Sequence, residues 1–66
     1  MNANRMALTT QLQFYLARAA QCRADADAAI LDNVRERCLR AEDAWNRMAE
    51  RAARTEQMRR EKEGSP

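Results

Sequence analysis

Leu8, Leu12, Tyr15, Ala19, Cys22, Ala26 and Ala29 recur at alternating steps of four and three. Val34, Cys38, Ala41, Trp45, Met48, Ala52 and Thr55 repeat the same rhythm. Only a helix of about 3.6 residues per turn gathers positions spaced in this way onto one stripe. The two runs are separated by Ile30-Leu31-Asp32-Asn33, so the pattern predicts two amphipathic helices. A connection this short makes them antiparallel neighbours. Strand formers are scarce: Thr9, Thr10, Ile30, Val34 and Thr55 are all the β-branched residues present. Alanine, arginine, glutamate, leucine, glutamine and methionine dominate, and each favours a helix. The fold class is all-α, with no sheet.

The first helix is expected over about 10–29, opened by a capping box of Thr10 with Gln13. The second is expected over about 34–62, with Asn33 and Glu36 as a second box or Asp32 as the cap. Residues 1–9 are then a flexible N-terminus and residues 63–66 a disordered tail, with Gly64 as a helix stop. The second helix, being longer, should project about three turns beyond the start of the first, with its core ending near Ala52.

Folding the hairpin sets Leu12 and Tyr15 near Trp45 and Met48. Ala19 and Cys22 then lie near Cys38 and Ala41. The chain has 66 residues, 14 of them alanine, with one tryptophan, one tyrosine and one phenylalanine. Chains this short seldom stabilise themselves with a single core. The apolar residues left outside the stripes mark where a further layer would pack. Ala17, Ala20, Ala24 and Ala28 make a second small-residue face bordered by Leu16, while Phe14 and Leu39 point away from the stripes. The expected interface is Leu12, Phe14, Tyr15, Leu16, Trp45 and Met48. The expected assembly is a homodimer, a four-helix bundle, because most homo-oligomers are two-fold dimers.

The remaining chemistry is sparse. There is no histidine, the only serine is Ser65, and no glycine-rich loop is present. A two-helix hairpin also offers no water-excluding pocket, so the chain is read as non-catalytic, with no cofactor and no small-molecule substrate. Cys22 and Cys38 are expected as reduced thiols packed across the hairpin, with a redox pair as the alternative. Two thiols without histidine do not complete a tetrahedral zinc site. No stretch approaches the roughly 20 apolar residues of a spanning helix, and none opens the chain as a signal peptide. A cytoplasmic location and no membrane partner are the expectation.

The formal net charge is +2. All of this excess lies in residues 34–66, which carry nine basic and seven acidic side chains. Glu36–Arg40, Asp43–Arg47, Glu50–Arg54 and Glu56–Arg60 have the favourable acid-first i,i+4 order, so a self-paired, solvated face is the leading reading. The alternative is a nucleic-acid-binding hairpin dimer that uses Arg37, Arg40, Arg47, Arg51 and Arg54 as anion contacts, since guanidinium forks suit phosphate.

The run from Phe14 to Arg23 holds Tyr15, Arg18, Ala19, Ala20, Cys22 and Arg23. It is followed by Val34-Arg35-Glu36-Arg37-Cys38-Leu39-Arg40, then Trp45 and the segment from Arg47 to Arg51. This order resembles a group of short bacterial hairpin proteins, from about Leu12 to Met58. The resemblance implies the helical hairpin and no assigned activity. The sequence thus points to a protein-interaction module or small regulator that self-associates or docks through its helix faces.

Overall fold

The structure, a computed structural model, describes residues 3–64, and the side chains of residues 10–62. Two helices account for nearly all of it: α1, Ala3–Ala28, and α2, Asp32–Gly64. They lie side by side in a hairpin 55 Å long, 17 Å wide and 11 Å deep. The all-α expectation holds, and there is no strand among the described residues.

The helix ends differ from those predicted. Helix α1 begins at Ala3, seven residues ahead of Thr10, so Thr10 stands inside a helix and opens nothing. Ala3, Arg5, Met6, Ala7 and Leu8 are good helix formers, and α2 is long enough to run beside them. A flexible segment over 1–9 is therefore replaced by helix from Ala3 onward. Met1, Asn2, Ser65 and Pro66 lie outside the described residues, and the expected tail is helical through Gly64. With 26 residues in α1 and 33 in α2, the overhang shrinks to about 10 Å, or two turns.

The turn is held by Arg35. Its Nη2 donates to the Ala29 carbonyl at 3.1 Å, and its Nη1 to Asp32 Oδ1 at 3.3 Å. Its backbone N–H donates to the Leu31 carbonyl at 3.1 Å, and the Ala29 N–H closes on Ala26 at 3.2 Å. Helix α2 thus starts at Asp32, ahead of Asn33. The Asp32 carboxylate pairs with Arg35, and it sits in the first turn, where negative charge suits the helix dipole. Ile30 and Leu31 are left at the tip, 93% and 62% exposed.

On α1 the inward stripe falls on the predicted residues: Ala19 and Ala26 are buried, Leu12, Tyr15 and Cys22 are half-buried, as is Ala29 just past the helix end, and the side chain of Leu8 lies outside the described ones. On α2 it drifts. Val34, Cys38, Ala41, Trp45 and Met48 turn inward as expected, but Thr55 is exposed while Ala49 and Glu56 are buried. A straight helix slips about 20° per seven residues against a strict heptad. After three heptads Thr55 has rotated out. Glu56, about five full turns beyond Cys38, has taken its direction. The packed stripe therefore continues past Ala52, because α1 begins early enough for α2 to have a neighbour there. The Glu56 carboxylate keeps a partner in Arg60, at 3.1 Å.

The fully packed centre is made of alanine: Ala19, Ala26, Ala49 and Ala52 are the buried apolar residues among those described, and no large side chain is fully buried. Small side chains let the helices approach closely, and they leave no room for growth. Ala26→Leu should therefore destabilise the hairpin by about 1–3 kcal/mol through overpacking. Ala28→Leu, at an exposed position of the same helix, should stay within about 0.5 kcal/mol. Thermal melts of the two variants followed by circular dichroism check this; equal effects would show that the alanines are not the contact.

Candidate interaction surface

A two-helix layer has two broad faces, and the side chains sort onto them by helical phase. On one face three aromatic rings form a cluster. Phe14 meets Trp45 edge-on at 5.8 Å and Tyr15 at 6.1 Å, and Tyr15 lies tilted over Trp45 at 5.9 Å. The Arg18 guanidinium stands over the Trp45 ring at 5.6 Å. Beyond the cluster, Tyr15, Met48 and Arg51 line a shallow groove of about 190 Å³.

The opposite face is aliphatic. Leu12, Leu16, Asn46, Ala49 and Ala53 line an open groove of about 500 Å³, with Asp43 and Glu50 at its rim. It runs on past Leu12 and Ala53 toward Glu56 and Arg60. Leu16 is 49% exposed and Leu39 36% exposed. Leu39, Asn46 and Ala53 stand seven residues apart, so they form one row along α2 on this side. Ala20 is exposed one turn from Leu16. Toward the turn, Arg23 ties the helices together, reaching Glu42 at 3.8 Å and Asp27 at 3.4 Å.

The six residues expected as a single interface are therefore divided. Phe14, Tyr15, Trp45 and Met48 belong to the aromatic face, and Leu12 and Leu16 to the aliphatic one. Phe14 does not stand apart on the polar side as its wheel position suggested. It is 54% exposed, yet one ring edge is spent on Trp45. Arg18 was missed as a contact residue. Its spacing of four from Phe14 and three from Tyr15 is the signal that places it on their side of the helix. Asn46, Ala49 and Ala53 were missed as groove lining, because the predicted stripe ran through their neighbours.

The arginine flank is only partly self-neutralised. Asp43–Arg47 closes at 3.0 Å and Glu56–Arg60 at 3.1 Å. Arg37, Arg40, Arg51 and Arg54 are exposed and take no carboxylate among the described residues. The two expected pairs Glu36–Arg40 and Glu50–Arg54 do not form, in keeping with the small worth of exposed i,i+4 pairs against side-chain entropy. Cys22 and Cys38 are both free thiols, each half-buried on its inward stripe. Among the described residues no group of metal-ligating side chains comes together, and no helix is long and apolar enough to cross a membrane.

Comparison with protein-family models, with curated proteins and with solved structures finds no match.

The aromatic contacts make a direct expectation. Phe14→Ala should lower stability by about 0.5–1.5 kcal/mol, the worth of an aromatic pair, and shift Trp45 emission to longer wavelength as water reaches the ring. Emission and a melt measured together check it; an unchanged spectrum would mean that Phe14 shields nothing.

Proposed function

We propose that this protein is a non-catalytic helical interaction module whose core is completed by another helical chain. One observation carries the reading: among the described residues, only alanines of the apolar set are buried. Every leucine, aromatic and methionine there keeps part of its surface in water. The accessible surface is 5332 Å², against about 4300 Å² for a compact monomer of this mass. The excess, roughly 1000 Å², is near the 800 Å² that each partner contributes to a standard protein interface. Part of that excess goes with the elongated shape of the hairpin, 55 × 17 × 11 Å, and part with four exposed large apolar side chains outside the turn, Phe14, Leu16, Leu39 and Met58.

A module of this kind is marginal alone and stabilised by mass action when its partner binds. Trp45, the single tryptophan, reports folding at high dilution. Where sedimentation gives a 7.6 kDa monomer, the chain should melt below the roughly 45–65 °C usual for mesophile domains. A cooperative melt inside that range for the monomer would overturn the reading.

A second reading rests on the aromatic face. Arg18 over Trp45 at 5.6 Å, with Arg51 beside the same face and Arg37, Arg40 and Arg54 left without carboxylates, combines stacking surface with positive charge. Single-stranded nucleic acids are bound by that combination. On this reading Trp45 fluorescence is quenched by added RNA or DNA at low salt, and the affinity falls steeply as salt rises because counterions are released. Absence of any quenching at low ionic strength rejects it.

A further inference from the structure

We infer that Cys22 and Cys38 are a reversible disulfide site, oxidised across the hairpin by low-mass disulfides such as glutathione disulfide. The site lies between the helices and is separate from both faces described above.

Two fixed points set the level of each thiol. The first is the turn: α1 ends at Ala28 and α2 begins at Asp32, with Arg35 bonded to both Ala29 and Asp32. Cys22 precedes Ala29 by seven residues and Cys38 follows Leu31 by seven. Each therefore stands about 10 Å along its helix from the turn. The second fixed point is the contact of Tyr15 with Trp45, whose rings lie 5.9 Å apart. Cys22 follows Tyr15 by seven residues and Cys38 precedes Trp45 by seven. Seven residues return a side chain to the same side of a helix within about 20°. The two cysteines are thus level with each other whether counted from the turn or from the rings.

Burial gives the direction. In a hairpin of two helices, the side of each that loses contact with water is the side facing the other. Cys22 and Cys38 are both half-buried free thiols, whereas Gln21, Arg23, Arg37 and Leu39 beside them are exposed. A disulfide needs Cα atoms within about 4.4–6.8 Å of one another, and the residues around the pair are small enough for a close approach. Ala19 and Ala26, one turn to either side of Cys22, are buried, and Ala41 lies one turn from Cys38. The three aromatic rings are about two turns away. Partial burial also leaves each thiol open to a small reagent, which full burial would exclude.

The chemistry takes two exchanges. The thiolate of one cysteine attacks a sulfur of glutathione disulfide; the reagent's S–S bond breaks, a mixed disulfide forms and a glutathione thiolate leaves. The thiolate of the other cysteine attacks the protein sulfur of that mixed disulfide, forming the Cys22–Cys38 bond and releasing a second glutathione thiolate. Two protein thiols are oxidised, one reagent disulfide is reduced to two thiols, and the two protons pass to these through water. The fold favours the second step, because it already holds the attacking sulfur opposite its target. The new bond closes the loop of residues 22–38, and the freedom this removes from the unfolded chain stabilises the hairpin.

Mass spectrometry of the acid-quenched full chain, equilibrated with mixtures of reduced and oxidised glutathione in buffer and in concentrated urea, tests the site. In buffer the product should be a single chain lighter by two hydrogen atoms, with no glutathione attached. Its equilibrium constant should exceed that in urea by about tenfold or more, since a bond that stabilises the fold is favoured by the fold. The oxidised chain should melt about 10 °C or more above the reduced one by circular dichroism. A Cys22→Ala, Cys38→Ala variant should show no response to the oxidant. The urea comparison uses the natural sequence and so decides the matter even where the variant folds poorly. Chains that stop at glutathione mixed disulfides, or that link one chain to another, place the two sulfurs out of each other's reach and overturn the site. A bond that forms no more readily in buffer than in urea overturns it as well.

Discussion

The small size of the residues buried between the helices is the constraint on which the rest of this molecule depends. Ala19 and Ala26 of α1 and Ala49 and Ala52 of α2, spread along the hairpin, are the buried apolar residues among those described. A methyl group removes little apolar area from water, so the contact draws on close dispersion between the helices more than on side-chain burial. Helices held this near leave no space between them for a leucine or an aromatic ring. Tyr15, Trp45, Met48 and Leu12 share the stripe yet are squeezed toward its edges, where each remains half-buried. The exposed flanks follow directly from the small residues in the middle.

The two flanks handle that exposure differently. On the aromatic side the protein covers part of itself: Phe14 meets Trp45 edge-on, and the Arg18 guanidinium stands over the Trp45 ring. Arginine suits this role, since its planar head stacks on an aromatic face while staying hydrated at its rim. This face can remain in water at modest cost, and Arg18 and Arg51 leave it positively charged. On the aliphatic side no long side chain folds over the groove between Leu12, Leu16 and Ala53. Leucine has neither a polar tip nor a ring to stack, so this side leaves apolar surface uncovered within the hairpin.

Much of the hairpin was legible because a 3.6-residue period leaves its imprint on every turn of an amphipathic helix. All six inward positions of α1 from Leu12 to Ala29 were readable from spacing alone. What was not legible has separate physical causes. Thr10 and Gln13 have capping-box spacing, but a cap forms only where the chain leaves the helix, and α2 offers a packing surface well before Thr10. That Glu56 takes the direction of Cys38 is readable from their spacing; what spacing did not tell is that α1 reaches far enough to bury it there, while Thr55 slips out of phase. Phe14 projects from the polar arc by its Cα direction. Its long, rigid side chain nonetheless reaches a ring on the neighbouring helix, and a wheel diagram carries no information about reach. The division of the six interface residues follows from the same limit: a single stripe in sequence becomes two faces once a second helix covers its midline.

The turn connects these parts. Ile30 and Leu31 add nothing to packing at the tip, so the connection is shaped by polar bonds from Arg35 to Ala29 and Asp32 and from the Arg35 N–H to Leu31. Those bonds set where α2 begins, and the start of α2 sets the phase with which its row Leu39, Asn46, Ala53 meets the row of α1. A shift of one residue would turn that row about 100° away from the groove. Arg23 adds a second polar contact between the helices, an ion pair with Glu42 at 3.8 Å. With turn and bridge both formed inside one chain, the groove is shaped before anything enters it. On the proposed function, docking then avoids most of the ordering cost that a loosely coupled pair of helices would have to meet. The form of the aliphatic groove is thus set by contacts within the hairpin itself.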